Sequence, residues 1–362
     1  MGLIRIKTRH ILFAGIFLSV SLSGFTQTKN LTPEDFPPGL TKSTIQLFNN
    51  DELIEVIIAT DLRTLVFDVA EERSYHPGKL YYLSDSDTIE MNVMLMTRGH
   101  FRRDRTSCTF PPFRIDFDST GNNTIFDKMN DVKLVTHCQK RNLYENYVLQ
   151  EYLIYKIYNL LTDLSFRVRL ARITYVDTSG RLKTDTKFGF FIEPTGKMAK
   201  RNGGRELELK GLALNHINHP MINLFTVFQY FIANTDWSVR VLHNIKLVSL
   251  LTEPMAFPVP YDFDFCGAIN TYYAAPDPVL NIRSVRNRLF RSNCRKLEEL
   301  ESTFEIFREK KDQIYNLYLD FPYLEEKQKR DILKYYDEFY ETLDNPRAAR
   351  KAFERCPKNR QP

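Results

Sequence analysis

Apolar and polar residues alternate along several short stretches in the first half of the chain. In residues 88–99, every second side chain from Ile89 to Leu95 is apolar, which is the two-residue period of a half-buried strand. Shorter runs predict further strands at residues 53–60, 79–84, 110–118, 131–138, 167–177 and 188–194. The first half is therefore predicted to be rich in strands.

The apolar period lengthens at residues 143–161 to three and four positions, which predicts a long helix. Residues 196–211 are polar and rich in glycine, which predicts a loop. Beyond it the pattern predicts helices at 221–235, 295–318 and 325–343, and a β-hairpin formed by 244–251 and 256–264. We expect a strand-rich N-terminal lobe over residues 27–195 and a helix-rich C-terminal lobe over residues 196–362.

The first 26 residues have the pattern of a secretory signal peptide. Arg5, Lys7 and Arg9 precede an uncharged apolar run at 11–25. The run is shorter than the about 20 residues that span a bilayer, although an uncleaved anchor is the alternative. We therefore expect residues 1–26 to be removed and the mature chain to be periplasmic or extracellular, without a transmembrane span.

Composition narrows the possible function classes. Of 362 residues, 43% are hydrophobic and 13% aromatic, which excludes wholesale disorder. The net charge is +5, and loss of the three basic residues of the signal peptide lowers it to +2. We expect no nucleic-acid partner, because such domains usually carry a dense basic face. Five cysteines cannot all pair within one chain, but one or two disulfides are possible.

Carboxylate and amide side chains are concentrated around the predicted hairpin. Asp236 follows a predicted helix, Asn244 opens the first strand of the hairpin, and Asp262 and Asp264 end the second. Hard cations such as Mg²⁺ take oxygen ligands, and a further carboxylate beside a hydroxyl can act as a base. The order Asp, Asn, hairpin, Asp is that of protein-kinase-like active sites. As an alternative, Asp236 could simply cap a helix or turn.

The first half contains a matching pair of charges. Lys133 lies on a predicted strand and Glu151 on the next helix, as in the lysine–glutamate pair that kinases place over nucleotide phosphates. A structural ion pair is the alternative, and Glu145 is a rival partner for Lys133. The segment 98–110, which joins two strands before Lys133, could cover phosphates, because its arginines match phosphate geometry. These are Arg98, Arg102, Arg103 and Arg105.

Residues 88–294 resemble the spore-coat CotH-type family of secreted kinase-like proteins, and in particular exported relatives from Bacteroidetes. The resemblance is carried by RGHFRR (98–103), FPPFRIDF (110–117), KLVTHC (133–138), YVLQEYLIYKIYNLL (147–161), FGFFIEP (188–194), NTDW (234–237), HNIKL (243–247) and PYDFDFCG (260–267). It implies an α+β, bilobal protein-kinase-like fold that transfers phosphate from ATP with Mg²⁺ or Mn²⁺.

The resemblance also implies a role for each candidate residue. Asp236 is the catalytic base, and Asn244 and Asp262 are metal ligands, with Asp264 as an alternative ligand. The implied nucleotide contacts are Lys133, Glu151, Arg98 and Arg114.

Three features depart from the family pattern. Trp237 follows Asp236 where an arginine is usual, and His100-Phe101-Arg102 follows Gly99 where the family has Asn and small hydroxyl residues. The phosphate-covering segment also contains one glycine, Gly99. We therefore carry two hypotheses. The first is an exported phosphotransferase that modifies a protein or glycan hydroxyl. The second is a catalytically inactive binding module with the same fold. A metal-dependent hydrolase that uses the same acidic residues is a weaker third.

Overall fold

A computed structural model describes residues 46–83, 88–117, 124–212, 216–292 and 295–354 of the chain. The expected signal peptide lies outside these residues. The described residues belong to one compact unit. Its strands are β1 Ile54–Thr60, β2 His76–Leu83, β3 Thr88–Thr97, β4 Phe113–Phe117, β5 Asp131–Val135, β6 Val168–Asp177, β7 Asp185–Ile192, β8 Gly204–Leu207, β9 Ile245–Leu250 and β10 Glu253–Pro260. Its helices are α1 Leu62–Phe67, α2 Asn142–Leu161, α3 Thr195–Arg201, α4 His219–Phe231, α5 Leu297–Leu319, α6 Glu326–Asp344 and α7 Pro346–Phe353.

Strands β1 to β7 close into a barrel in the order β1-β2-β3-β4-β5-β7-β6. Strand β1 pairs in parallel with β6, from Ile54 opposite Ala171 onwards, while its other edge pairs antiparallel with β2. The alternation predicted for residues 88–99 is confirmed, because Met91, Val93 and Leu95 are buried in the barrel core while Glu90 is exposed. The side chains on one face of each strand thus fill the interior of the barrel.

The predicted bilobal protein-kinase-like fold is wrong, because the seven-stranded sheet closes on itself. The mixed α+β content is confirmed. Local patterning locates strands but does not reveal that β1 pairs with β6, whose partner residues are more than a hundred positions away. All seven barrel strands precede residue 195, and the second sheet follows it. The division into residues 27–195 and 196–362 stays a prediction.

Helix α2 lies between the barrel and the later helices. It packs on strands β6 and β7 and on helix α5. Its aromatic side chains are buried in a core that continues into helices α4, α5 and α6, as Tyr155, Phe228 and Phe339 illustrate. The predicted helices at 221–235 and 325–343 therefore serve core packing, and α2 is held rigidly in position.

A second sheet, in the order β10-β9-β8, carries the predicted hairpin. The prediction that residues 196–211 form a loop is wrong, since they contain helix α3 and strand β8. Strand β8 pairs antiparallel with β9, with Glu206 opposite Val248. Gly203, with φ of +70°, makes the turn between α3 and β8. Long-range pairing with β9 overrides the polar local sequence.

One disulfide, between Cys108 and Cys138, joins the 98–110 segment to the residues that follow β5. Cys266 is a buried free thiol, while Cys294 and Cys356 lie outside the described residues. None of the helices in the described ranges is both long and apolar enough to cross a bilayer.

Candidate functional site

A buried group of charges lies where the 98–110 segment, α2 and the end of the hairpin meet. Glu151 on α2 and Asp264 after β10 are 2% and 5% exposed, respectively. The Nη1 atom of Arg102 lies 3.8 Å from Oε2 of Glu151, and its Nη2 donates to the carbonyl of Thr136. The hydroxyl of Tyr273 donates to Oδ2 of Asp264 at 2.9 Å. Two carboxyl groups thus share the surroundings of one guanidinium.

Burial raises the pKa of both carboxyl groups. For Asp264, burial and then the negative charge of Asp262 raise the pKa to about 7, against the opposing effect of Arg102. For Glu151, burial and then Asp264 hold the pKa well above its ordinary value. A carboxyl group removed from water favours its neutral form unless a cation compensates it. Additional positive charge in the site would therefore stabilise the ionised forms of both carboxyl groups.

Lys133 lies on β5 between Val132 and Leu134, which point into the barrel, so its own side chain is on the outer face. Burial, followed by the positive charges of Arg98 and Lys246, lowers the pKa of Lys133 to about 8, while Asp262 acts to raise it. The lysine is thus close enough to both Arg98 and Asp262 to interact with their charges.

No ion pair joins Lys133 to Glu151, both of which are in the described part of the chain; the partner of Glu151 is Arg102. The rival Glu145 pairs instead with Lys187 at 3.7 Å. Arg102 is buried, and its role as the partner of Glu151 was missed because the sequence offered several arginines in the same segment. Whether Lys133 and Glu151 contact a nucleotide stays a prediction.

Asp236 lies in the turn after α4, and its carboxylate is held from two sides. His243 Nε2 is 2.8 Å from Oδ1, and Asn244 Nδ2 donates to Oδ2 at 2.9 Å and to the backbone carbonyl of Asp236 at 2.8 Å. The hydrogen bond to Asp236 raises the pKa of His243. Asn244 has φ of +53°, a left-handed conformation that asparagine tolerates better than most residues.

His243 was missed by the sequence reasoning, although it directly precedes Asn244. Residues Ser238 and His243 exchange two backbone hydrogen bonds, of 3.0 and 2.9 Å, which close a tight loop and bring the imidazole back onto Asp236. A cavity of about 330 Å³ opens beside these residues, with Ser238, Phe265 and Arg291 also in its lining. A hydroxyl-bearing molecule in this cavity would therefore lie next to the Asp236 carboxylate.

Asp262 is oriented by helix α2. Its backbone N–H donates to the hydroxyl of Tyr155 at 2.9 Å, and its φ is +64°. Because Tyr155 lies one turn after Glu151, the same helix fixes the backbone of Asp262 and the side chain of Glu151. The charge of Asp262 acts on the pKa of Glu151, Asp264 and Lys133.

The arginine candidates fall into two groups. Arg98 has a buried Nε without a hydrogen-bond partner, and its charge acts on Lys133 and Glu151. Arg114 is already engaged by Asp116 at 2.8 Å and by Asp131 at 3.6 Å. Arg103 donates to the backbone carbonyls of residues 69, 70 and 99, and Arg105 donates to that of residue 66. Of the arginines in the 98–110 segment, Arg98 and Arg102 therefore contribute charge to the acidic site.

Asp262, Asp264 and Asn244 carry oxygen atoms of the type that hard divalent cations bind. Within the described ranges, no three His, Cys, Asp or Glu side chains form a group able to hold a metal. Asp262 is close enough to Asp264 for its charge to be, after burial, the second cause of the raised pKa of Asp264. Asn244 donates with its Nδ2 to Asp236, which leaves its Oδ1 for other uses. Mg²⁺ is typically held by one or two carboxylates together with waters and substrate phosphates.

Trp237 is part of the core. It is 2% exposed, its Nε1 donates to the carbonyl of Asn234 at 3.1 Å, and its ring packs edge-on against Phe225. Trp237 therefore anchors the loop that carries Asp236 in the core, and it also contributes to the lining of the cavity.

Comparison of the chain with protein-family models and with curated proteins finds no match. The resemblance to the CotH-type family therefore stays a prediction.

Proposed function

We propose that this protein is an exported phosphotransferase that uses ATP and a divalent metal, Mg²⁺ or Mn²⁺, to modify a hydroxyl group of a protein or glycan. One observation carries the proposal. The interacting carboxylates Asp262 and Asp264 lie within electrostatic reach of Lys133 and Arg102. Acidic groups suited to a metal and basic groups suited to phosphates thus occur in one place.

The proposal gives each group a separate task. Asp262, Asp264 and Oδ1 of Asn244 would hold the metal, whose charge would neutralise the phosphates and relieve the repulsion between the two carboxylates. Lys133 and Arg98 would bind phosphate oxygens, since neither of them forms a short ion pair with a described residue. Glu151 would position Arg102 at the edge of the phosphate site.

Asp236 would act as the base. The acceptor hydroxyl gives its proton to Asp236 as its oxygen forms a bond to the γ-phosphorus of ATP, and the bond from that phosphorus to the bridging oxygen breaks to release ADP. His243 and Asn244 hold the carboxylate in one orientation, which favours such a transfer because positioning dominates phosphoryl-transfer catalysis.

Thermal melting of residues 27–362 tests the proposal, with ATP and Mg²⁺ added singly and together. We expect a rise in melting temperature that needs both, because a ligand at 100 times its dissociation constant stabilises the native state by about 2.7 kcal/mol. The Asp262→Asn variant is expected to lose the rise, since asparagine tolerates the positive φ but lacks the charge. The exposed Asp331→Asn is the matched control. No rise with the wild type, or an equal rise in both variants, would contradict the proposal.

The second candidate is a binding module without catalysis. It is favoured by the hydrogen bonds of Asp236, whose two carboxylate oxygens already have partners, and by the ion pair that occupies Glu151. The two candidates differ in turnover. A protein that shows the melting response to ATP and Mg²⁺ but releases no ADP with any hydroxyl acceptor would support the binding module.

A further inference from the structure

A single side chain binds the backbone on both sides of Asp236. Nη1 of Arg291 donates to the carbonyl of Thr235 at 2.6 Å and to the carbonyl of Trp237 at 2.8 Å. An Nη nitrogen of arginine carries two N–H groups, so one nitrogen serves both carbonyls. Thr235 and Trp237 are 56 and 54 residues from Arg291 in the chain, so the local sequence does not reveal this contact.

The other two carbonyls of residues 234–237 are bonded by side chains as well. That of Asn234 accepts from Nε1 of Trp237 at 3.1 Å, and that of Asp236 accepts from Nδ2 of Asn244 at 2.8 Å. These four residues belong to no helix or strand, so their carbonyls depend on such donors. Arg291 supplies two of the four bonds and therefore contributes most to the shape of the loop.

The guanidinium of Arg291 is held against the loop in a second way. Its Cζ lies 4.8 Å from the centroid of the buried Trp237 ring, and a guanidinium at this distance is attracted to the face of an indole. Burial lowers the pKa of Arg291, while the negative charges of Asp277 and then Asp236 act to raise it. The hydrogen bonds of Arg291 within the described residues go to the two loop carbonyls, not to a carboxylate.

The C-terminal helices fix the segment from which Arg291 projects. Phe290 packs against Phe353 of α7, with the ring centroids 5.0 Å apart. Arg288 Nη1 donates to Glu338 of α6 at 2.9 Å. Because this segment is anchored on two helices, Arg291 imposes its geometry on the loop, which has no regular structure of its own.

From these contacts we propose that Arg291 is a positioning residue. It fixes the peptide groups around Asp236, so that the Asp236 carboxylate is presented to the cavity of about 330 Å³ without Arg291 touching ATP or the acceptor. Such positioning matters because a displacement of about 1 Å can slow an enzymatic reaction about a hundredfold. The effect on catalysis rests on the proposed function, whereas the effect on the loop does not.

The Arg291→Met variant tests the inference, because methionine keeps an unbranched apolar stem beside Trp237 but has no N–H donor. Arg283→Met, at an exposed position in the same segment, is the matched control. The first readout is hydrogen exchange of the backbone amides in residues 234–238, followed by mass spectrometry. We expect exchange in Arg291→Met to be at least about tenfold faster than in the wild type and in the control, because two hydrogen bonds are lost.

The second readout is turnover, measured as ADP release with ATP, Mg²⁺ and dephosphorylated casein as the probe acceptor. In Arg291→Met we expect kcat to fall at least about tenfold while KM for ATP changes less than about twofold, because the proposed phosphate contacts Lys133 and Arg98 are unchanged. A residue that only stabilises the fold would lower the melting temperature and leave kcat of the folded protein unchanged.

The outcomes separate this inference from the proposed function. Absence of ADP release by the wild type counts against the proposed function alone, and hydrogen exchange then decides the inference. If Arg291→Met does not fold, Arg291→Lys, whose side chain is one bond shorter, replaces it and is expected to exchange faster than the control. Equal exchange in the Arg291 variant and the control, unchanged kcat in an active protein, or a raised KM for ATP with unchanged kcat would each overturn the inference.

Discussion

The pKa of Asp264 predicts how stability changes with pH. Burial and the charge of Asp262 raise this pKa from 3.8 to about 7. Between those two pH values the carboxyl group therefore holds its proton in the folded state and loses it in the unfolded state. Stability contributed by that proton is fully present below pH 3.8 and is lost as the pH rises through about 7. Between pH 5 and pH 8 the loss amounts to about 2–3 kcal/mol.

The Asp264→Asn variant isolates this contribution, because asparagine keeps the shape of the protonated carboxyl group and does not titrate. We expect the unfolding free energy of D264N minus that of the wild type to rise by about 2–3 kcal/mol from pH 5 to pH 8. Urea denaturation with EDTA present, followed by the fluorescence of the single tryptophan, Trp237, gives the measurement. The exposed Asp331→Asn is the control and is expected to show no such trend. A pH-independent difference for D264N would refute the reasoning.

Other substitutions test the packing, all through the free energy of unfolding from urea denaturation. Cys108→Ser removes a disulfide with a sequence separation of 30 and is expected to cost about 3–4 kcal/mol; no loss under oxidising conditions would contradict the bridge. Trp237→Ala empties a buried site and is expected to cost about 3–5 kcal/mol, whereas less than about 1 kcal/mol would contradict its core role. Gly267→Ala places a methyl group against the carbonyl of Val285 and is expected to cost about 1–3 kcal/mol. Gly196→Ala, in helix α3 with open space around it, is expected to stabilise by about 0.5 kcal/mol, so equal signs for the two glycines would contradict the packing.

Local sequence patterns predicted the positions of most elements. The alternation in residues 88–99 and the helical period in 143–161 are both confirmed, as β3 and α2. Such patterns depend on which side of a strand or helix is buried, and the burial follows directly from residue type. The short helices α1 and α7 were not predicted, and residues 196–211 were predicted to form a loop. Their strand, β8, exists because β9 supplies a partner, which a local pattern does not contain.

The candidate site was predicted in part. Residue types and their order in the chain identified four candidates, Asp236, Asn244, Asp262 and Asp264. Their interactions place them near one another. The partner of Glu151 was not predictable. Several arginines occur in one segment, and only the tertiary structure selects Arg102, because its guanidinium also reaches the carbonyl of Thr136.

The sequence by itself determined the types and approximate bounds of most strands and of the four longest helices, because periodic burial is encoded residue by residue. Only the tertiary structure determines that the sheet closes into a barrel and which charged side chains come into contact. Both outcomes depend on contacts between residues far apart in the chain, such as Ile54 with Ala171 and Tyr155 with Asp262. Those contacts form because closure satisfies the edges of the sheet and burial forces polar groups to find partners, and neither condition can be evaluated within a short segment.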